Sequence, residues 1–181
     1  MAQKSVKLAE RAETYTSVMD SPLGKLLLQS TDQAITSVHF AGFRQPADGT
    51  EIKPDSSLPD CLHACRVQLN EYFKGKRKIF DLPLSPDGTA FQRKVWNELL
   101  NIPFGSTISY LELAKRLGDP KVIRAAGSAN GKNPVAIIIP CHRVIGADGS
   151  LTGYAGGLEN KRKLLDLEQM HTGGKTQLSI F

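Results

Sequence analysis

The sequence predicts an α/β protein of two domains, in which an N-terminal antiparallel sheet is covered by a helix and the C-terminal domain is mostly helical. Three features support this fold. Strand-forming runs separated by turns occupy residues 14–40, apolar residues then recur at helical spacing, and a turn-rich segment at 83–88 separates the two parts. The domains are therefore expected at 1–87 and 88–170, and the second should hold a helix-turn-helix and a short buried strand.

The bulk composition is that of an ordinary globular protein. The chain has 181 residues, of which 40% are hydrophobic and 23% charged, so it is long enough to bury a substantial core. No stretch approaches 18 uninterrupted apolar residues, and the N-terminus has no apolar segment of signal-peptide length. We therefore expect a cytoplasmic protein without a membrane segment.

The N-terminal strands follow a polar arm at residues 1–13. Three short runs favour strands and form an antiparallel meander: Thr14–Met19, Lys25–Ser30 and Ala34–Phe40. His39 is interpreted as an ordinary sheet residue. Residues 41–57 are poor in apolar side chains and predict a surface loop.

A helix over Leu58–Lys74 is predicted from apolar residues at helical spacing, with Gly75 ending it. Cys61 and Cys65 lie on the apolar stripe of this helix, which favours core packing. Half of a zinc site is the alternative, but an obvious fourth ligand is missing. Ile79–Leu84 is expected to add a further strand.

Three helices are predicted between residues 89 and 130 of the second domain. Thr89 caps the first, which runs to Leu100, and a Ser-x-x-Glu capping box opens the second at Ser109, which ends at Leu117. Gly118-Asp119-Pro120 then starts a third helix that reaches Asn130. Two short helices joined by such a turn indicate a helix-turn-helix, although many helical hairpins bind nothing.

The positive charge of the chain is concentrated in one stretch. Residues 91–143 hold eight basic and three acidic side chains, whereas the two signs balance in 1–90 and in 144–181. A local basic field of this kind suits a polyanion. Within it, the small side chains of Ala125–Ala129 allow either close helix packing or close approach to a nucleic-acid groove, and Arg124 stands at their edge.

The strongest chemical candidate follows the apolar run Val135–Ile139, which predicts a short buried strand. Pro140 ends that strand because it has no N–H to donate. Cys141 and His142 come next and provide the groups for a thiol nucleophile with its base. The alternative is structural, because a lone cysteine beside an apolar strand is more often a small buried hydrophobe.

The C-terminal part contains a glycine-rich loop at Gly153–Gly157 and a helix over Leu158–Gln169. Glu168 lies near the end of this helix, where a carboxylate is unfavourable against the helix dipole. It is either a structural or a functional carboxylate. The tail from His171 to Phe181 is expected to be disordered.

These motifs together resemble the O6-alkylguanine-DNA alkyltransferases. The Ile-Pro-Cys-His-Arg-Val run at 139–144, Asn133-Pro134 upstream, the loop at 153–157 and Glu168, 27 residues past the cysteine, all match the family. The resemblance covers residues 91–168. It implies a ribonuclease-H-like N-terminal domain and irreversible, stoichiometric transfer of an alkyl group from O6-alkylguanine in DNA, and from O4-alkylthymine, onto Cys141.

The resemblance also assigns roles to residues. Catalysis falls to Cys141, to His142, which reaches the thiol through a water, to Glu168, which orients His142, and to Asn133, which holds the turn beneath the cysteine. The DNA-contacting set is Tyr110, Arg124, Ala125, Ala126, Gly127 and Ser128. The substrate pocket is Tyr110, Val144, Tyr154 and Ala155. The expected partner is double-stranded DNA bound by a monomer, with no metal and no other cofactor.

Three other functions use parts of the same pattern. A cysteine hydrolase would need an oxyanion hole and would turn over esters or amides. A binder of alkylated DNA without transfer activity would lack the reactive cysteine, and a helix-turn-helix regulator would leave the Cys-His-Glu set unexplained.

Overall fold

The computed structural model describes residues 13–42 and 51–172. Its sheet contains strands β1 (Tyr15–Met19), β2 (Leu26–Ser30) and β3 (Ile35–Phe40), with β2 in the centre. Both pairings are antiparallel, with Leu28 opposite Ser17 on one side and Val38 on the other. The predicted meander is therefore confirmed.

Helix α1 (Asp60–Phe73) covers this sheet, as the apolar spacing predicts. Its buried stripe includes Leu62, Leu69 and both cysteines of the segment, Cys61 and Cys65. The cysteines therefore pack in the core. Within residues 13–42 and 51–172, no group of three or more His, Cys, Asp or Glu side chains is arranged to hold a metal ion.

The strand predicted at Ile79–Leu84 is wrong. Only Leu84 pairs with the sheet, through an isolated parallel bridge to Ile35, and Ile79 is 80% exposed. The physical reason is competition for backbone groups. The Gln68 side chain takes both the N–H and the C=O of Asp81, each at 2.8 Å, and so occupies groups that a strand would pair.

The C-terminal part is mostly helical, as predicted. The helices are α2 (Ala90–Leu99), α3 (Tyr110–Arg116), α4 (Ile123–Gly131) and α5 (Leu158–Met170), and strands β4 (Ile108–Ser109) and β5 (Val144–Ile145) form a short parallel pair. Thr89 and Gln92 form a complete capping box at the start of α2. At α3, the Ser109 hydroxyl accepts from the backbone N–H of Glu112.

Helices α3 and α4 form the predicted helix-turn-helix. The Asp119 carboxylate accepts from the backbone N–H of Lys121 at 2.8 Å, and Pro120–Val122 forms a 3₁₀ turn before α4 begins. Helix α2 packs against α4 from behind, where Trp96 Nε1 donates to the Ala129 carbonyl at 2.9 Å. One face of α4 is thus fixed to the core and the other faces solvent.

The short buried strand expected at Val135–Ile139 is only partly present. All five residues are buried, but Val135 alone pairs with the sheet, through a parallel bridge to Val38 at the outer edge of β3. The chain then closes into a tight turn in which Ile137 has φ 73°, an unusual value for a β-branched residue. The Ile139 N–H donates to the Val135 carbonyl at 3.0 Å, so these groups cannot continue a ladder.

Some predictions fall outside the described residues. Residues 1–12 of the polar arm, 43–50 of the surface loop and 173–181 of the tail belong to this group. His171 and Thr172, at the start of the predicted disordered tail, pack so closely on Gly75 and Gly105 that neither glycine has room for a Cβ. No helix in residues 13–42 or 51–172 is long and apolar enough to cross a membrane.

Candidate active site and nucleic-acid interface

Cys141 lies in a single 3₁₀ turn between the buried turn at 135–139 and β5. The Asn133 side chain fixes this position from below. Its Nδ2 donates to the Cys141 sulfur at 3.1 Å and to the Ile139 carbonyl at 2.8 Å, while its Oδ1 accepts from the Val135 N–H at 3.0 Å. Asn133 therefore holds both the turn and the thiol.

His142 is completely buried beside the cysteine. Its Nε2 lies 2.8 Å from Oε1 of Glu168. Its Nδ1 is also buried and has no hydrogen-bond partner among the described residues. Because a carboxylate can only accept, Nε2 carries the proton, and Nδ1 is the nitrogen that is free to take another.

Glu168 is completely buried and accepts hydrogen bonds from four residues. Besides His142, it accepts from Arg143 Nε and Nη2 at 2.9 Å each, from the Gly105 N–H at 2.9 Å and from the Tyr72 hydroxyl at 2.7 Å. Arg143 also donates to the Ile102 carbonyl at 2.6 Å. These donors explain how a carboxylate is tolerated in the last turn of α5.

The pKa values of both acid–base partners are lowered, but for different reasons. Burial lowers the pKa of His142 and outweighs the attraction of Glu168, so the imidazole is neutral at neutral pH. Burial alone would raise the pKa of Glu168, but hydrogen bonds from His142 and Arg143 reverse this and hold it well below its usual range. The pair is a neutral base oriented by a permanent anion.

Lys161 is a functional candidate that the sequence interpretation missed. It is fully buried, and its Nζ donates to the carbonyls of Val144 at 2.6 Å and Thr152 at 2.8 Å. Burial lowers its pKa to about 8. Its position three residues before Leu164 and seven before Glu168 places it on the buried stripe of α5, a signal that the sequence did contain.

Burial raises the pKa of the Cys141 thiol, while the Asn133 hydrogen bond and the charge of Lys161 oppose that rise. The ground state is therefore a protonated thiol, which requires a base before it can act as a nucleophile. His142 is the neutral base next to it in the chain.

A cavity of about 40 Å³ opens beside the thiol. Its walls include His39, Phe40, Asn133, Cys141, Tyr154 and Ala155. The Tyr154 hydroxyl is buried without a hydrogen-bond partner among the described residues, and its ring meets Phe40 and His142 edge-on. Cavities that bind small molecules measure about 300–1,000 Å³, so this one is closed to a purine.

Two residues predicted for the pocket lie elsewhere. Val144 is completely buried in β5 and does not line the cavity, because its strand turns the side chain into the core. Tyr110 also lies outside the cavity wall. Its hydroxyl donates to the Thr152 carbonyl at 3.3 Å, and its ring packs beside Gly127 of α4.

The outer face of α4 carries most of the predicted DNA-contacting set. Arg124, Ala125 and Ser128 are exposed, and Gly127 is half-buried against Tyr110. Ala126 is completely buried, because its place on the helix faces the core. Its side chain therefore contributes to close helix packing, which was one of the two interpretations of the small residues at Ala125–Ala129.

Comparison with known proteins gives two family matches. The model described as 6-O-methylguanine DNA methyltransferase, ribonuclease-like domain, matches residues 14–86, and the one described as 6-O-methylguanine DNA methyltransferase, DNA binding domain, matches residues 90–170. A methylated-DNA–protein-cysteine methyltransferase of Methanosarcina acetivorans is 46% identical over 156 residues, covering 85% of this chain and 97% of the relative. One of Mycobacterium tuberculosis is 46% identical over 151 residues, covering 83% and 90%.

Solved structures agree with these matches. The crystal structure of the Mycobacterium tuberculosis O6-methylguanine methyltransferase has a TM-score of 0.79 and 42% identity, covering 92% of this chain and 98% of that one. The Mycobacterium tuberculosis OGT in complex with DNA has a TM-score of 0.77 and 44% identity, covering 87% and 94%. The predicted two-part fold, with a ribonuclease-like N-terminal part, is therefore confirmed.

Proposed function

Because this chain belongs to the 6-O-methylguanine DNA methyltransferase family, we propose that it repairs DNA by moving the alkyl group of O6-alkylguanine irreversibly onto Cys141. The single observation that carries this proposal is the arrangement at the thiol. Cys141 is held by Asn133 beside a small cavity, next to a neutral His142 that Glu168 orients. O4-alkylthymine is the second proposed substrate.

The transfer is a direct displacement at the alkyl carbon. The thiol proton goes to His142 Nδ1, directly or through a water, as Cys141 Sγ forms its bond to the alkyl carbon. The bond from that carbon to O6 breaks, and the guanine leaves with the electron pair. The product is a thioether, which offers no acyl group for water to attack. Each protein molecule therefore acts once, and this chemistry needs no metal or organic cofactor.

Docking on double-stranded DNA is assigned to the outer face of α4. Its small exposed side chains allow the helix to approach the minor groove closely, and the basic excess of residues 91–143 favours a polyanion. Arg124 fills the space in the stack that a flipped nucleotide leaves. Tyr110 assists the rotation of the phosphate and stands beside the loop that covers the cavity.

The cavity is too small for a purine, which implies that the loop at 150–157 moves when the base enters. Lys161 and Tyr110 both bind the Thr152 carbonyl, and Phe40 packs tightly on Gly156. These few contacts hold the loop over the thiol. Once it opens, Tyr154 forms a wall for the purine, and the Ala155 N–H donates to the purine oxygen.

We also propose a boundary between two domains near residue 87, supported by family matches that end at 86 and restart at 90. The protein is expected to act in the cytoplasm as a monomer.

The test is transfer of a labelled methyl group from O6-methylguanine in a DNA duplex, followed by peptide mass mapping. One methyl per protein on Cys141, with activity spent afterwards, is expected. Cys141→Ser should bind the duplex and accept no label, whereas the matched variant Cys61→Ser, altered in the sheet-covering helix, should accept a full equivalent. Repeated turnover, or tight binding by the intact protein without labelling, would overturn the proposal.

A further inference from the structure

Tyr72 connects the N-terminal part of the molecule to the candidate active site. It lies on α1, yet its hydroxyl donates to Glu168 Oε1 at 2.7 Å, across 96 positions of sequence. The side chain is completely buried, and its ring contacts Phe73, Phe80 and Phe104. The aromatic packing fixes the direction of the hydroxyl.

The oxygen that Tyr72 binds is also the oxygen that binds the imidazole. Oε1 of Glu168 lies 2.8 Å from His142 Nε2 and 2.9 Å from Arg143 Nη2. A carboxylate oxygen divides its negative charge among the donors that it accepts. Each added donor therefore weakens its attraction for the others and restricts its direction. Packing of the ring alone needs no hydroxyl at this position, since a phenylalanine would fill the same space.

We propose that Tyr72 is a positioning residue for alkyl transfer, which sets the orientation and the basicity of His142 through Glu168. The inference rests on the proposed function and adds to it a contribution from the ribonuclease-like part. Tyr72 keeps the carboxylate from binding the imidazolium too strongly. His142 thereby stays neutral and able to take the thiol proton.

Other charged and titratable groups also face His142, and replacing Tyr72 leaves them unchanged. Glu168 and Lys161 come from α5, Arg143 and Cys141 are its neighbours in the chain, and the Tyr154 ring lies 6.5 Å away. Burial raises the pKa of Tyr72 well above its ordinary value, so the hydroxyl keeps its proton at neutral and acidic pH. Tyr72 therefore acts as a fixed donor and not as a titrating group.

The first experiment compares the wild-type chain with Tyr72→Phe by following the ring-nitrogen chemical shifts of His142 against pH, without DNA. Losing the donor concentrates charge on the oxygen that faces His142, so the pKa of His142 should rise by about 0.5 to 1 unit. Phe80→Leu is the matched control, since it loosens packing on the same ring and leaves the hydroxyl in place. An unchanged His142 pKa in Tyr72→Phe, or an equal shift in Phe80→Leu, would overturn the proposal.

The second experiment measures single-turnover methyl transfer against pH for the same three proteins. In the plot of transfer rate against pH, the acid-side inflection of Tyr72→Phe should move to higher pH by the same amount as the pKa of His142. If the role of Tyr72 were purely structural, the rate would fall equally at all pH values. Replacing Tyr72 with a fluorinated tyrosine, a stronger donor, should move the inflection the other way. If the wild-type chain transfers no methyl group, the proposed function fails, while the shifts of His142 still decide whether Tyr72 acts on it.

Discussion

Replacing Asn133 with alanine should loosen the turn that carries the nucleophile. The Asn133 amide binds three groups of that turn within 3.1 Å: the Val135 N–H, the Ile139 carbonyl and the Cys141 sulfur. An alanine leaves all three without this partner. Because Asn133 is itself buried, water does not readily replace the amide.

The cost follows from these groups. The buried Val135 N–H loses its acceptor, which costs about 1–3 kcal/mol. The Ile139 carbonyl still accepts from the Cys141 N–H at 2.8 Å, so its lost bond costs only about 0.5–1.5 kcal/mol. The free energy of unfolding should therefore fall by about 2–4 kcal/mol. The hydrogen bond to sulfur favours the thiolate, so the pKa of the Cys141 thiol should rise further.

Urea denaturation measures the first effect, and the pH dependence of iodoacetamide alkylation, mapped to the Cys141 peptide, measures the second. Asn101→Ala is the control, since Asn101 is exposed and binds only Glu98 through its side chain amide. It should change stability by less than about 0.5 kcal/mol. If Asn133→Ala were as stable as this control and its thiol titrated as in the wild type, Asn133 would not hold the turn or the thiol.

Three further changes test the site. Lys161→Met removes the ammonium that favours the thiolate, so the pKa of Cys141 should rise in the iodoacetamide titration; a fall would contradict the assigned electrostatics. Glu168 has a folded pKa below its unfolded value of about 4.3, so its charge stabilises the fold above that pH and this stability is lost as the pH falls. The stability advantage of wild type over Glu168→Gln should accordingly shrink below about pH 4.3 in urea titrations, and a constant difference would argue against the ionised carboxylate. Arg124→Ala should weaken duplex binding by about 1–3 kcal/mol in a fluorescence titration with melting unchanged, and an equal loss in Arg162→Ala, exposed on α5, would show a nonspecific charge effect.

Local patterns in the sequence were sufficient for most of the fold. The strand runs before Phe40, the apolar stripe of α1 and the cap at Thr89 each depend on neighbours within a few positions, where propensity and hydrogen bonding act directly. The placement of Cys141 directly after a buried segment also follows from its neighbours in the sequence. The run at 135–139 was correctly predicted to be buried, but its conformation was not.

What the tertiary structure decided depends on hydrogen bonds and packing that no local pattern of residues encodes. The run at 135–139 forms a turn because the Asn133 side chain and the edge of β3 form hydrogen bonds with its backbone N–H and C=O groups. The spacing of apolar residues does not encode these hydrogen bonds. Tyr72 meets Glu168 for a similar reason, since only the folded chain brings a side chain of α1 within 2.7 Å of the end of α5. The sequence by itself determined which side chains could perform chemistry. Their hydrogen-bond partners and acid–base states depend on burial and on contacts that exist only in the folded chain.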